Sequence, residues 1–307
     1  MHYGCAGRAR AQRRFRAASD NNTLYNIATM KSIIVGTDFS KGSLVALEIA
    51  IKIANTLQKD LILMYVKPPK GLIIQSNDEQ IHLLAEQRLQ EICEKYSPLM
   101  QAGTMHYEIA AGRVAAVIAE KARMEQSPMI VIGTNGASGY EKYFIGSTAV
   151  RIVQEAPCPT LTVREGYAYD GGMKKIVVPI RPASDNSRQK VPPAAKVAKI
   201  FDAEVNVLGL MEYQSDAAEL RIHMNQVSKF LSEEGLRHTA VMKQSNDYCD
   251  TLMEYAESIK ADMIVINTEQ NKVISQFFLG TNAQKILHKS HIPVLCLHPE
   301  DIFGVAR

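Results

Sequence analysis

The chain has 307 residues, enough for two domains at the usual size of roughly 150 residues each. Its residues are 46% hydrophobic and 22% charged, a globular composition that excludes a disordered chain. No apolar run approaches the roughly 18 residues of a membrane-spanning helix, so the sequence also excludes an integral membrane protein.

The net charge of +3 comes from the amino-terminal segment. Residues 1–29 hold five arginines and one acid and carry +4, so the remaining 278 residues sum to −1. A nearly neutral body gives no electrostatic support for nucleic-acid binding. We interpret residues 1–29 as a disordered or extraneous extension, because Met30 is followed at once by a strand pattern. The Arg-rich, acid-poor composition is also typical of a transit peptide or a nucleic-acid arm.

The five cysteines are far apart in the sequence and form no CxxC pair. This usage favours a reduced chain in the cytoplasm, without a disulfide framework or a structural zinc site.

Short apolar runs alternate with amphipathic runs through residues 30–166. After the strand Ser32–Gly36, the run Ser43–Leu57 repeats apolar residues at helical spacing. The pattern then predicts strands at 61–66, 105–109, 129–132 and 160–163, with helices at 78–96, 114–124 and about 147–155.

Residues 173–299 repeat this organisation. Met129–Ile132 recurs as Met263–Ile266 at an offset of 134, and the same offset places Gly280 on Gly146. Near the front of each copy the offset is 143, so the second copy is shorter by about nine residues. Its strands are predicted near 175–180, 204–210, 238–242, 263–266 and 293–297. The linker lies at 166–172, a stretch with turn chemistry, and residues 300–307 form a tail.

Strands that alternate with helices predict right-handed βαβ units and a parallel sheet covered on both faces. Five strands per copy predict an α/β fold of two tandem doubly wound five-stranded parallel-sheet domains. Ligands of such sheets bind beyond the carboxyl ends of the strands, where the strand order reverses.

The fourth strand leads into a glycine pattern, G-x2-G-x9-G-S. Gly133 and Gly136 lack a Cβ, so the backbone can turn sharply and approach a ligand. Gly146 and Ser147 begin a helix, whose free N–H groups and dipole attract phosphate. Ser147 and Thr148 add hydroxyl groups. Each feature alone is also explained as a turn or a helix cap.

The first strand ends in Gly36-Thr37-Asp38, next to the fourth strand in a doubly wound sheet. Asp38 then faces the same crevice, where a carboxylate accepts hydrogen bonds from ribose hydroxyls or an adenine amine. Val66, at the end of the second strand, is placed to pack on the base, and Ile132 ends the fourth strand. The alternative for Asp38 is a turn or cap residue.

These residues resemble the universal stress protein family. The resemblance covers residues 31–164 and, more faintly, 174–298, and it is carried by Ile33–Ser40, Tyr65-Val66 and the glycine pattern. It implies a five-stranded domain of flavodoxin-like, adenine nucleotide alpha hydrolase-like topology that dimerises through its last strand. The glycine pattern is the family's signature for members that bind ATP. By resemblance, the three glycines and Ser147 hold the phosphates, while Asp38 and Val66 contact the nucleoside.

The second copy departs from this pattern. Asn267 and Gln270 replace the first two glycines and Arg181 replaces the aspartate, whereas Gly280-Thr281 remain. We therefore expect the second copy to lack nucleotide. Arg181 could reach a phosphate or an acidic partner, and we interpret it as a surface arginine.

The sequence thus predicts a cytosolic regulator of the stress response that binds ATP with Mg²⁺ in its first domain. The two domains are expected to pair through their final strands as an internal pseudo-dimer, with a homodimer and an unknown protein partner left open. Hydrolysis should be slow at most, because no general base is placed in the motifs. The alternative is a scaffold module without nucleotide. The sequence contains no Walker A motif, which would indicate a different class of phosphate-binding protein. His288 and His291 have no carboxylate or cysteine beside them that would complete a metal site.

Overall fold

The computed structural model describes residues 31–67, 78–134, 146–169, 172–182, 188, 190–270, 277–278 and 280–297. The predicted extension at 1–29 and the tail at 300–307 lie outside these residues. Within them, no helix is long and apolar enough to cross a membrane.

The first half alternates strands and helices as predicted. Its strands are β1 (Ser32–Gly36), β2 (Asp60–Lys67), β3 (Met105–Ala111), β4 (Ile130–Gly133) and β5 (Thr160–Val163). Its helices are α1 (Lys41–Leu57), α2 (Asp78–Tyr96), α3 (Val114–Met124) and α4 (Ser147–Glu155), with a 3-10 turn at Ser97–Leu99.

The second half repeats the alternation. Its strands are β6 (Lys175–Ile180), β7 (Glu204–Met211), β8 (His238–Gln244), β9 (Met263–Asn267), the short pair β10 (Glu269–Gln270) and β11 (Phe277–Phe278), and β12 (Val294–Leu297). Its helices are α5 (Val191–Phe201), α6 (Ala217–Glu233), α7 (Tyr248–Ser258) and α8 (Thr281–Lys289), with a 3-10 turn at Gln214–Asp216.

Ten of these strands form one sheet in the order β3-β2-β1-β4-β5-β12-β9-β6-β7-β8. Each half contributes the doubly wound order that the alternation predicts, and its strands are parallel. The predicted α/β fold class is therefore confirmed. The halves meet at β5 and β12, which pair antiparallel with Leu161 opposite Leu295. This is the expected pairing of the final strands.

Both faces of the sheet are covered. Because successive strand residues point to opposite faces, Ile33 and Val35 join the core beneath α1, α2, α5 and α6, whereas Ile34 joins the core beneath α3, α4, α7 and α8. Both cores contain residues from the two halves. The strands are continuous apolar runs because they are buried on both sides.

A buried arginine joins the halves beside the strand junction. Arg164 follows β5 and is 4% exposed, and its Nη2 donates hydrogen bonds to the carbonyl oxygens of His288 at 2.5 Å and Leu287 at 3.4 Å. These carbonyls lie in the last turn of α8, where a cation complements the helix dipole. Burial lowers the pKa of the Arg164 guanidinium. Thr162 Oγ1 also donates to the Val294 carbonyl, at 3.1 Å.

Two local features differ from the sequence predictions. The helix α1 begins at Lys41 instead of Ser43, because Ser40 caps it and accepts a hydrogen bond from the Ser43 N–H at 3.2 Å. The antiparallel pair β10 and β11 was not predicted, since two-residue strands show no periodicity.

Candidate functional site

The strand order reverses at β1, which places its carboxyl end beside that of β4. Gly36 at the end of β1 is in register with Ile132 of β4, and both strands are parallel. The residues that follow them, Asp38 and Gly133-Thr134, therefore lie at the same edge of the sheet. This edge is the switch point where doubly wound domains bind ligands.

The turn from β1 to α1 is fixed by its own side chains. The Thr37 hydroxyl is buried, contacts the Ser43 hydroxyl at 3.0 Å and accepts a hydrogen bond from the Phe39 N–H at 3.0 Å. Asp38 Oδ1 accepts a hydrogen bond from the Ser40 N–H at 3.0 Å. The Thr37 hydroxyl is thus used for hydrogen bonds within this turn. Asp38 is half-buried, and its second carboxylate oxygen accepts no hydrogen bond from the described residues.

No sequence pattern predicted the conformation of Phe39. Its φ is +65°, in the left-handed region that non-glycine residues seldom adopt. Its ring packs on Tyr65 at a centroid distance of 4.8 Å, and the Arg88 guanidinium lies 5.5 Å from the ring centroid. These contacts hold a strained residue between Asp38 and the start of α1, as is common at functional sites.

The glycines of the pattern have different structural roles. A Cβ on Gly133 would lie 2.8 Å from the Ser43 nitrogen and 2.9 Å from the Gly42 carbonyl carbon, so this glycine lets β4 meet α1. A Cβ on Gly146 would meet only the Thr134 oxygen, at an ordinary 3.5 Å. Packing therefore explains Gly133, and no contact of the described residues requires a glycine at 146. Gly136 lies outside the described residues.

The amino end of the helix α4 lies beside the end of β4. Gly146 is its N-cap and makes no side-chain capping bond, while its own N–H donates to the Thr134 carbonyl at 2.9 Å. Ser147 and Thr148 are exposed. The structure thus brings the first turn of α4 to the end of β4, and among the described residues no side chain caps the N–H groups of this turn.

Two predicted site residues are buried. Val66 is 7% exposed and Ile132 is 3% exposed, and both belong to the core beneath α3 and α4. Their side chains support the crevice from below. Gly36 packs against the same core, because a Cβ at this position would lie 3.1 Å from side-chain atoms of Ile118 and Ile132.

The second half has different chemistry at its corresponding edge. Arg181, which follows β6, is half-buried, and its guanidinium carbon lies 5.1 Å from the centroid of the Tyr248 ring. It is therefore a packed residue and not the simple surface arginine we expected. Burial raises the pKa of the Tyr248 phenol, which stays a neutral hydroxyl at physiological pH. Asn267, in place of the first glycine, ends β9 and is half-buried.

A concavity of about 510 Å³ lies at the opposite, amino edge of β1, β2 and β3. Its lining includes Lys31, Asp60, His106 and Glu108. Lys121 holds Glu108 at 2.5 Å and Glu125 at 3.2 Å, so part of this charge is paired. In the described part of the chain, no group of three or more His, Cys, Asp or Glu side chains could hold a metal ion.

The family model of the "Universal stress protein family" matches residues 29–164 and again residues 172–298. The chain belongs to this family. A universal stress protein of Methanocaldococcus jannaschii is 33% identical over 140 residues, which cover 44% of this chain and 82% of that protein. One from Mycobacterium tuberculosis is 28% identical over 182 residues, covering 59% and 65% respectively.

Solved structures show the same fold over most of the chain. The crystal structure of a universal stress protein from Archaeoglobus fulgidus superposes with a TM-score of 0.69 at 17% identity, covering 88% of this chain and 98% of that one. A functionally unknown protein from Pseudomonas aeruginosa superposes with a TM-score of 0.63, also at 17% identity, covering 91% and 96%. The tandem resemblance seen in the sequence is thereby confirmed.

Proposed function

We propose that the first half binds ATP as its magnesium complex, at the carboxyl edge of β1 and β4, and that the protein is a nucleotide-dependent regulator of the stress response. The observation that carries this proposal is the amino end of α4, which no described side chain caps and which lies at the same edge as the half-buried carboxylate of Asp38. The N–H groups of α4 suit a phosphate, and the Asp38 carboxylate suits a ribose hydroxyl or an adenine amine.

The phosphate end of the site is built from the backbone. The first turn of α4 offers N–H groups that no side chain caps among the described residues, and a Cβ at Gly146 would contact only the Thr134 oxygen among the described atoms. The hydroxyls of Ser147 and Thr148 add donors. Hydrogen bonds to a charged group contribute about 1.5–3 kcal/mol each, so two or three of them support micromolar to millimolar binding.

The nucleoside end rests on Asp38. Its Oδ1 is held by the Ser40 N–H, which fixes the carboxylate in place and leaves the second oxygen for the ligand. Phe39, whose φ is left-handed, directly follows Asp38 in this turn. Val66 and Gly36 contribute backbone and the buried floor beneath the nucleoside.

The magnesium ion is expected to arrive on the triphosphate. Mg²⁺ keeps several waters and binds through substrate phosphates more readily than through an all-protein cage. Glycines, hydroxyls and a fixed carboxylate bind a nucleotide but provide no obvious base for water, so we expect at most slow hydrolysis. The free cysteines Cys93, Cys158, Cys249 and Cys296 support a reducing, cytoplasmic location.

The alternative function is a scaffold that works without nucleotide. The pairing of β5 with β12 supports it, because the two strands join the halves directly in one sheet. The two functions differ in whether ATP binds at all.

Isothermal titration of the full chain with Mg-ATP separates them. We expect binding by the wild type, and we expect Ser147→Ala to weaken it roughly tenfold through loss of a charge-assisted hydrogen bond. The matched control is Thr281→Ala, at the same position of α8 in the second half, which should leave the affinity unchanged. No heat of binding at millimolar ATP would favour the scaffold and reject the site.

A second variant tests the nucleoside end. Asp38→Asn keeps an oxygen for the Ser40 N–H and removes the negative charge, so the turn should persist. We expect weaker binding of ATP and of adenosine alike, whereas Ser147→Ala should affect ATP only. Equal ATP affinity in Asp38→Asn and wild type would remove Asp38 from the site.

A further inference from the structure

The ten-stranded sheet ends at β8, and the outer side of this strand is unpaired. Among the described strands, β8 pairs with β7 alone. The pairing is parallel and runs without a bulge from Val205 opposite His238 to Met211 opposite Gln244. β8 contains no proline, a residue that commonly protects an edge strand. A regular edge of this length is a surface to which another strand can pair.

The hydrogen bonds at the two ends of β8 show which of its residues face outward. The Val205 N–H donates to the Arg237 carbonyl at 2.9 Å, and the Ser245 N–H donates to the Met211 carbonyl at 2.8 Å. Alternate residues of a parallel strand bond to the same neighbour, so the odd-numbered residues of this strand face β7. The backbone N–H and C=O groups of the other four residues point away from the sheet: His238, Ala240, Met242 and Gln244.

The outer side of β8 is accessible. Its four outward-facing residues have no backbone hydrogen-bond partner in the part of the chain that the structure describes. Residues 239–241 are exposed, and Val241 at the middle of the strand is 36% exposed. The other outer strand of the sheet, β3, is half-buried at its middle, residues 107–110. β8 is thus the more open of the two outer strands.

Two copies of β8 match each other when they run antiparallel about a two-fold axis at Val241. In this register, His238 lies opposite Gln244 of the second copy, and Ala240 lies opposite Met242. Every outward-facing residue then meets another outward-facing residue, as the hydrogen-bonded pairs of an antiparallel ladder require. Each such pair exchanges two backbone hydrogen bonds, so the register leaves no outward N–H or C=O group of β8 without a partner.

The side chains of β8 are compatible with this register. Val241 lies opposite Val241 of the second copy, and such β-branched pairs stabilise neighbouring strands. Lys243 lies opposite Thr239, and its ammonium group lies 5.5 Å from the centroid of the Tyr255 ring of its own chain. β8 has no acidic residue, and no two like charges lie opposite each other in this register.

The charge of β3 opposes the same arrangement. An antiparallel pair of β3 strands about their middle residue would place Glu108 opposite Glu108 of the second copy. Like charges directly opposite each other destabilise a strand pair. Lys121 already pairs with Glu108 from within the chain, on the helix α3. Charge therefore favours β8 over β3 as a surface for a second copy.

We propose that two copies of the chain pair through β8 and form a two-fold symmetric dimer, in which the two sheets become one. A two-fold interface closes on itself and forms no longer polymer. It is separate from the junction of β5 and β12, which pair within the chain. It is also separate from the proposed nucleotide site, because five strands lie between β4 and β8.

Analytical ultracentrifugation of the full chain over a concentration series tests the proposal. We expect the wild type to convert reversibly from monomer to dimer as its concentration rises. Val241→Lys places two ammonium groups opposite each other at the two-fold axis, and we expect it to weaken dimerisation roughly tenfold or more. The matched control is Val241→Thr, which keeps a neutral β-branched side chain and should dimerise like the wild type.

A charge-reversed pair of variants tests whether residue 241 lies opposite itself. Val241→Glu alone should dimerise as weakly as Val241→Lys, because it also places like charges together. An equimolar mixture of the two variants should form a mixed dimer, identified by native mass spectrometry with one variant carrying a tag. High salt should weaken this mixed dimer, since it screens the opposite charges.

Hydrogen exchange of the wild type covers the case in which the variants do not fold. At high protein concentration, we expect slower exchange at the outward N–H groups of Ala240 and Met242. The N–H groups of Thr239 and Val241 should change less, because they already face β7. Exchange at Tyr107 and Ile109, which face outward on β3, should not depend on concentration.

Four results would overturn the proposal: a wild type that stays monomeric up to millimolar concentration, a dimer that persists unchanged in Val241→Lys, a charge-reversed mixture that forms no mixed dimer, or polymers in place of dimers. Binding of Mg-ATP is measured in Val241→Lys as well, and we expect the affinity of the wild type. If ATP binds while the wild type stays monomeric, only the dimer is rejected.

Discussion

The two halves share one strand order and one sheet, yet their carboxyl edges are built differently. In the first half, a connection of residues 37–40 brings α1 close to β4, and the charged group beside it is the carboxylate of Asp38. In the second half, β6 ends at Ile180 and α5 begins at Val191, and the residue before α5 is the buried Lys190. The comparison shows that the apolar core fixes the architecture, whereas the edge connections can change length and charge without changing the fold.

The first glycine of the pattern is present in the first half only. Gly133 faces the backbone of Gly42 and Ser43 at distances that no side chain could occupy. The longer connection of the second half accompanies Asn267 at the equivalent position. Gly133 therefore has a packing role in the first half that does not depend on any ligand.

The largest expected effect is that of Gly133→Ala. The added methyl group would overlap two backbone atoms of α1, which cannot move aside like the end of a side chain, so we expect a loss of about 3 kcal/mol of unfolding free energy. Urea denaturation measures it. The control, Gly146→Ala, meets only an ordinary contact and should cost less than about 1 kcal/mol. Equal stability of Gly133→Ala and wild type would refute the packing role.

A smaller and pH-dependent effect is expected for Lys190→Met. The folded pKa of Lys190 is about 7, below its ordinary value of 10.5, so the unfolded state binds more protons between these values. The wild type therefore gains stability as pH rises from 7 towards 10.5. Below pH 7 the full destabilisation caused by the buried ammonium group is present. We expect the variant to be more stable by roughly 1–2 kcal/mol at pH 6, with the difference shrinking at pH 9.5.

Urea denaturation of Lys190→Met and wild type at the two pH values tests this expectation. Lys196→Met, which removes an exposed lysine from the same helix, should differ from the wild type by the same small amount at both. A difference for Lys190→Met that stays constant or grows with pH would show that Lys190 is not a buried cation.

The helix caps offer a third comparison. Ser40 caps α1 through the Ser43 N–H, whereas Lys190 at the start of α5 makes no such bond. Ser40→Ala should cost about 1 kcal/mol of unfolding free energy. Ser232→Ala is the control, because that hydroxyl donates only to the Ser228 carbonyl within α6 and its loss should be nearly neutral. A neutral Ser40→Ala would show that the turn at Asp38 is held by other bonds.

The sequence predicted most of the fold because the apolar periodicity is strong. The strand and helix bounds agree with the observed ones to within two residues, and the constant offset identified the repeat. The short pair β10 and β11 carries no periodic pattern and could not be found in this way.

The candidate site was less accessible to sequence analysis. The partner of Gly133 is the backbone of Gly42 and Ser43, about ninety residues away, so the glycine pattern could not separate packing from ligand binding. Phe39 adopts a positive φ, which phenylalanine seldom does, so its conformation could not be predicted from its residue type. The burial of Lys190 was hidden because lysines are nearly always exposed, and only Pro192-Pro193 marked the helix beside it.

The most direct test of the account is where ATP binds on the chain. Photolabelling of the full protein with azido-ATP, followed by peptide mapping, gives the position without any mutation. If the first half binds ATP as proposed, excess Mg-ATP prevents the labelling, and the labelled peptides fall within residues 31–164, near Asp38 or the start of α4. Labelled peptides confined to residues 172–298, or labelling that excess ATP does not prevent, would contradict it.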